Sequence, residues 1–153
     1  MFDFLRKKKQ QFFPDGEQEK IVAAIRESEI KTSGEVRVFV ESKCRFVDPL
    51  DRAKEIFFNL EMDETKQKNA VLVYVAMKDK QLAVFADEGI YIKAGKDFWY
   101  HEVQKMLNQF NSSNYAEGIA NVVKEIGAAL AYHFPYDAAT DKNELPDEIV
   151  FGK

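Results

Sequence analysis

The chain has 153 residues, 46% of them apolar, with 13 Phe against one Trp; a single domain commonly spans roughly 100–200 residues. A fold of this size hides about 68–70% of its unfolded surface, so it needs neither disulfide nor structural metal, and one cysteine excludes an internal disulfide or a multi-cysteine metal site. Lys plus Arg is 22 and Asp plus Glu is 26, a formal net charge of −4, which argues against nucleic acid as the main partner.

Taken in chain order, the elements start after a basic terminus. Arg6 to Lys9 follow only a few apolar residues, the reverse of a secretory signal, and no apolar run reaches the ~18 residues of a membrane span. The chain therefore reads as cytoplasmic, without a transmembrane segment. Phe2, Phe4 and Leu5 beside these charges offer a weak membrane-surface anchor; a frayed basic end is the preferred explanation. Pro14-Asp15-Gly16 is a turn signal, with Asp15 placed to cap a helix over Glu17 to Lys31 carrying Ile21, Val22, Ile25 and Ile30. Thr32-Ser33-Gly34 ends it. Glu35 to Glu41 alternates Val36, Val38 and Val40 with Glu35, Arg37, Phe39 and Glu41, the period of a strand.

Asp48-Pro49 opens a second helix with the stripe Ala53, Ile56, Phe57 and Leu60. Asn69 to Met77 is apolar on both faces and valine-rich, as a central strand covered on both sides requires. After the turn Lys78-Asp79-Lys80, Gln81 to Ala86 returns antiparallel. A helix capped by Asp97 carries Phe98, Val103, Met106, Leu107 and Phe110; one capped by Asn114 carries Tyr115, Ile119, Val122, Val123, Ile126 and Leu130. The segment from Pro135 reads as an irregular polar strap. It serves either as an acidic ligand peptide or, preferably, folds back through Leu145, Ile149, Val150 and Phe151 over apolar surface.

This predicts an N-terminal tail (1–14), an α/β domain (15–134) and a C-terminal strap (135–153). The fold class is α/β: a small mixed sheet, two parallel strands plus an antiparallel hairpin strand, sandwiched by helices.

Several chemistries lack their residues. No Gly-x-Gly-x-x-Gly, Gly-x-x-x-x-Gly-Lys-Ser/Thr or Gly-x-Ser-x-Gly is present. Cys44 lacks the arginine that a cysteine-phosphatase loop places six positions on, where Leu50 stands. His101 and His133, both in predicted helices, are too few for zinc. Asp137, Asp141, Asn143 and Glu144 miss the EF-hand spacing, and Asp48 with Asp51 reads as a cap and a first-turn acid. The predicted topology, however, brings the start of the first strand to the end of the third. That edge gathers Thr32, Ser33, Gly34, Glu35, Asn69, Asp87 and Glu88, with Asp97 a few residues on. Oxygen ligands alone suit calcium or magnesium, so Glu35, Asp87, Glu88 and Asp97 are the candidate metal ligands. Solvated loop acids and helix caps are the plainer explanation.

Four motifs in order resemble the TPM domain family. Thr32-Ser33-Gly34-Glu35-Val36-Arg37-Val38 looks like its opening segment. Lys68-Asn69-Ala70-Val71-Leu72-Val73 is similar to its Arg-Asn-Gly-Val-Leu strand, with Ala70 where glycine is usual. Asp87-Glu88-Gly89-Ile90 followed by Asp97 looks like its glycine loop and capped helix. Tyr115-Ala116-Glu117-Gly118-Ile119 matches its Tyr-x-x-Gly-Ile, with Asn114 where aspartate is common.

The resemblance implies an α/β sandwich, divalent cations (calcium among them) and, from a plant relative, acid phosphatase activity. Other relatives are accessory factors for membrane complexes, often with a signal peptide and anchor. It carries over Glu35, Asp87 and Asp97 as site residues. The favoured expectation is a calcium-binding module that docks a protein partner, membrane-associated partners included. The alternative is a metal-dependent phosphohydrolase, for which Lys31, Lys68, Lys93 and Lys96 are the nearby cations.

Overall fold

The computed structural model describes residues 12–111, 114–137 and 149–152. Pro14 holds φ −57°, and its carbonyl accepts from Glu17 N and Gln18 N, so helix α1 (Asp15–Glu29) starts earlier than the sequence suggests. Asp15 thus lies inside the helix instead of capping it. Ile30 falls beyond the last turn and is exposed, not part of the stripe.

Strand β1 (Glu35–Glu41) follows, then α2 (Pro49–Asn59), whose cap Asp48 accepts from Leu50 N as expected. A single 3-10 turn (Met62–Glu64) buries Met62 and leads to β2 (Ala70–Ala76) and β3 (Gln81–Ala86). β1 runs parallel to β2, with Glu35 opposite Ala70 and Glu41 opposite Ala76, and β2 pairs antiparallel with β3.

Two features depart from the expected order. A short helix α3 (Glu88–Ala94) intervenes before α4 (Lys96–Asn111). It buries Ile90 alone, too little for a periodic signal, and packs so closely that a Cβ at Gly89 would meet Gln67 O at 2.2 Å. Because α4 begins directly after α3, Asp97 sits in its first turn and does not cap it. Helix α5 (Tyr115–His133) follows, and Asn114 at its start makes no side-chain cap.

The second departure is the strap, which is not wholly irregular. Ile149 is buried, and β4 (Val150–Phe151) pairs parallel with β1 to give the sheet order β3-β2-β1-β4. Two residues with partly buried side chains give no alternation to read from sequence. The calls on Phe2, Phe4, Leu5 and Arg6 to Lys9, and on Asp141, Asn143, Glu144 and Leu145, fall outside the described residues.

The sheet is covered on both faces, as a fully buried β2 demands. One face presents Val36, Val38, Val40, Val71, Val73 and Val75 to the larger core, where α5 packs with Ile119, Val123, Ile126 and Leu130. The other packs Phe39, Leu72 and Tyr74 on Ala53, Ile56 and Phe57 of α2. Fully burying a side chain of this kind stabilises by roughly 1.5–3 kcal/mol. The architecture is therefore a mixed α/β fold, with an open four-stranded sheet packed by helices.

Candidate functional site

At one end of the sheet the registers of β1, β2 and β3 set Glu35, Ala70 and Asp87 in a single row. Glu35 pairs with Ala70, and Asp87 N donates to Ala70 O at 2.9 Å. Residues of one row share a face, and two strand spacings separate Glu35 from Asp87 by about 10 Å at Cα. Glu35 and the neighbouring Asn69 are 4% and 2% exposed. Asp87 caps α3 through Oδ1, which accepts from Glu88 N at 2.8 Å; its Oδ2 is buried and has no hydrogen-bond partner among the described residues.

The expected four-acid cluster does not assemble. Glu88 and Asp97 are both exposed in the first turns of different helices. No group of three or more His, Cys, Asp or Glu among the described residues could hold a metal ion. Calcium takes about 6–8 oxygen ligands, and of the four expected acids only Glu35 and Asp87 share one row of the sheet. Three of the four expected cations are engaged elsewhere: Lys31 pairs with Glu27 at 3.6 Å, Lys68 Nζ donates to Asp63 O, and Lys93 lies over the Phe134 ring. Both histidines lie on helices, and His101 Nδ1 approaches Asp97 O at 3.0 Å.

The opposite end of β1 holds a network that the sequence reading did not assemble. Glu41 is 6% exposed, and its carboxylate accepts from Arg52 Nε and Nη2, each at 2.9 Å, and from the Tyr74 hydroxyl. Arg52 Nη1 also donates to Glu55. Burial would raise the Glu41 carboxyl, but the hydrogen bonds from Arg52 and Tyr74 outweigh it and hold the group below its ordinary value. The Tyr74 hydroxyl is pushed far up by burial and then by Glu41; Arg52 is raised by its bonds to Glu41. Beside them Cys44 N donates to Asp79 Oδ2 at 2.8 Å. The available signal was a glutamate on an otherwise buried strand.

A third buried carboxylate, Glu102, lies on the core stripe of α4 with Trp99, Met106 and Phe110. It is 2% exposed; Lys105 Nζ, at 3.4 Å from Glu102 Oε2, reaches Glu125 of α5 at 2.6 Å. Burial first, then the Glu125 charge, raises the Glu102 carboxyl to about 7.

Residues 7–129 match the TPM domain sequence profile. The chain belongs to the TPM domain family. One of its motif glycines now has a physical reason: a Cβ at Gly118 would meet Gln109 Cβ at 2.6 Å, where α5 crosses α4. Among solved structures, the TPM domain is similar to the BA42 protein of the psychrophilic bacterium Bizionia argentinensis at 39% identity, with 95% of this chain and 99% of that chain covered and a TM-score of 0.84. The N-terminal domain of the cg2496 protein from Corynebacterium glutamicum shares the fold at 12% identity and TM-score 0.62, over 78% of this chain and 74% of that one. The N-terminal domain of a protein from P. gingivalis does so at 16% identity and TM-score 0.57, over 82% of each. No curated protein matches the sequence. No helix among the described residues is long and apolar enough to cross a membrane.

Proposed function

We propose that this TPM domain is a binding module: it takes a divalent cation, calcium or magnesium, at Asp87 and Glu35, and docks a protein partner. The cation half rests on Asp87 Oδ2, buried without a hydrogen-bond partner among the described residues, in one sheet row with Glu35. A buried carboxylate oxygen without a donor is costly, and a hard cation satisfies it through oxygen coordination. With no third acid joining them, water fills most of the coordination sphere and the affinity is modest. Glu88 and Asp97 are not among the ligands in this reading.

The partner half rests on exposed apolar side chains between β1 and the first turn of α2. Phe46 is 36% exposed, Val47 102% and Leu50 43%, and grouped apolar surface of this kind marks docking sites, on a membrane-associated protein as on any other.

Phosphohydrolysis needs the cation and a cationic grip on phosphate at one place. Arg45 and Arg52 stand near the far end of β1 from Glu35, about 20 Å away at the rise of a strand. The nearer arginine, Arg37, two residues on from Glu35 in β1, is partly buried and already interacts with both Glu35 and Glu29, and this arrangement favours binding over catalysis.

A backbone-amide NMR titration with calcium, then magnesium, tests the reading. Saturable shifts at Glu35, Asn69, Ala70 and Asp87 are expected. Asp87→Asn, which keeps an oxygen for the α3 cap, abolishes them. Silence at these amides up to about 5 mM cation, beyond a millimolar dissociation constant, overturns the cation site. Turnover of a phosphate monoester that vanishes in both Glu35→Ala and Asp87→Ala would instead make the domain an enzyme.

A further inference from the structure

A cleft of about 520 Å³ opens at the carboxyl ends of β1 and β4. Its walls include Glu41 at the end of β1, Lys43, Arg45 and Phe46 after it, Arg52 from α2 and Gly152 after β4. Three observations make it more than a surface irregularity. Its place is outside the carboxyl ends of two paired parallel strands, β1 and β4, the end of an open α/β sheet at which ligands are commonly taken. Its volume lies within the roughly 300–1,000 Å³ of small-molecule pockets.

The charge is the second observation. In a chain of net charge −4, the named lining carries three cations and one carboxylate. That carboxylate is already occupied, since Glu41 accepts two hydrogen bonds from Arg52 and one from Tyr74. Arg52 is thereby fixed in orientation. Bonds to Glu41 and Glu55 use three of the five guanidinium N–H groups, so N–H groups remain on a side chain that is 24% exposed. Lys43 and Arg45 are exposed beside it. Glu55 and Asp79 lie close enough to weaken the long-range field, so recognition depends on direct contact.

The third observation is the apolar wall. The Phe46 ring is 36% exposed, and the Arg52 guanidinium carbon lies 6.0 Å from the ring centroids of both Phe46 and Phe39. A guanidinium at the edge of cation–π range of an exposed ring places charge and flat apolar surface side by side.

We propose that this cleft binds a small oxyanion, a carboxylate or phosphate group carried on a planar apolar body. The oxyanion sits against Lys43, Arg45 and the free N–H groups of Arg52, and the flat body lies on Phe46. The site is separate from the Asp87 edge and needs no divalent cation.

The test is an amide and arginine Nε NMR titration with benzoate and with the non-hydrolysable phenylphosphonate. It is run in chelator at fixed ionic strength, with sodium chloride as the control. Saturable shifts at Glu41 to Phe46, Arg52 and Gly152 are expected, with the dissociation constant raised about tenfold or more in the double variant Lys43→Ala, Arg45→Ala. Both positions are exposed, so an unchanged melting temperature shows that the variant is folded. Phe46→Ala weakens both ligands and leaves the fold intact. Binding of benzoate alone assigns a carboxylate ligand; binding of phenylphosphonate, alone or better, assigns a phosphate. No saturable shift from either up to about 10 mM, a binding free energy weaker than about 3 kcal/mol, overturns the proposal. So does binding that the double variant leaves unchanged.

Discussion

Glu41 at the end of β1 and Glu102 on α4 are both carboxylates taken out of water, at 6% and 2% exposure. Their surroundings drive them in opposite directions. Glu41 meets Arg52 in a two-pronged pair and the Tyr74 hydroxyl, and it stays ionised below the ordinary carboxylate range. Glu102 meets apolar neighbours, a second carboxylate at Glu125 and only the edge of a half-exposed lysine, and it is raised to about 7. Burial opposes charge at both positions. The number and geometry of donors decide which carboxylate keeps its charge.

Removing the donor at the first site is expected to have the largest effect. Arg52→Met strands Glu41 in the small core and costs about 3 kcal/mol in denaturant unfolding. The pH dependence changes as well. In the native chain the lowered Glu41 pKa contributes stability above the ordinary carboxylate value, lost as pH falls. In the variant burial is opposed only by the Tyr74 hydroxyl and the Arg45 charge, so the carboxyl moves up from its native position and the loss is greater in base than in acid. A cost below about 0.5 kcal/mol would make the pair no stronger than a surface bridge and break the contrast.

The second site should respond in the other sense. Glu102 has a folded pKa of about 7 against an ordinary 4.5, so its contribution is fully present below 4.5 and is lost as pH rises through 7. Glu102→Gln therefore gains about 3 kcal/mol near pH 8.5 and flattens the stability profile between 4.5 and 7. Equal pH profiles for variant and native protein, measured by thermal unfolding, would refute the raised value.

Smaller substitutions sharpen the comparison. Tyr74→Phe removes one of the donors to Glu41 and is expected to cost about 1–2 kcal/mol, less than Arg52→Met because the guanidinium pair survives. The smallest effect belongs to Lys105→Met. Lys105 is the one partner that lowers Glu102, so its removal moves the carboxyl titration further up, followed by the side-chain 13C shift of Glu102.

How far the sequence could be read follows from the kind of signal each part leaves. The span of β1 from Glu35 to Glu41 and that of β3 from Gln81 to Ala86 are written in local alternation and turn residues, and both match the structure. The parallel and antiparallel pairings follow from the helical crossover and the short turn. Helix α3 escaped because seven residues burying one side chain show no period, and β4 because its two residues gain meaning only from pairing with β1. Asp97 looked like a cap only while α3 was unseen. The TPM motifs were legible as residues, yet Gly118 acquires its reason from the α4–α5 crossing.

The same division holds for the sites. That Glu35 and Asp87 share one end of the sheet follows from strand order, which sequence pattern determines through hydrophobic period and connection length. That Glu88 and Asp97 stay apart, that Glu41 finds Arg52 and Tyr74, and that Lys43, Arg45 and Phe46 wall a cleft with Gly152 are matters of side-chain placement between distant segments. Local pattern records which face a residue occupies. It carries no record of which remote donor will reach a buried carboxylate, because that depends on how the packed helices and sheet bring side chains from separate elements within hydrogen-bond range.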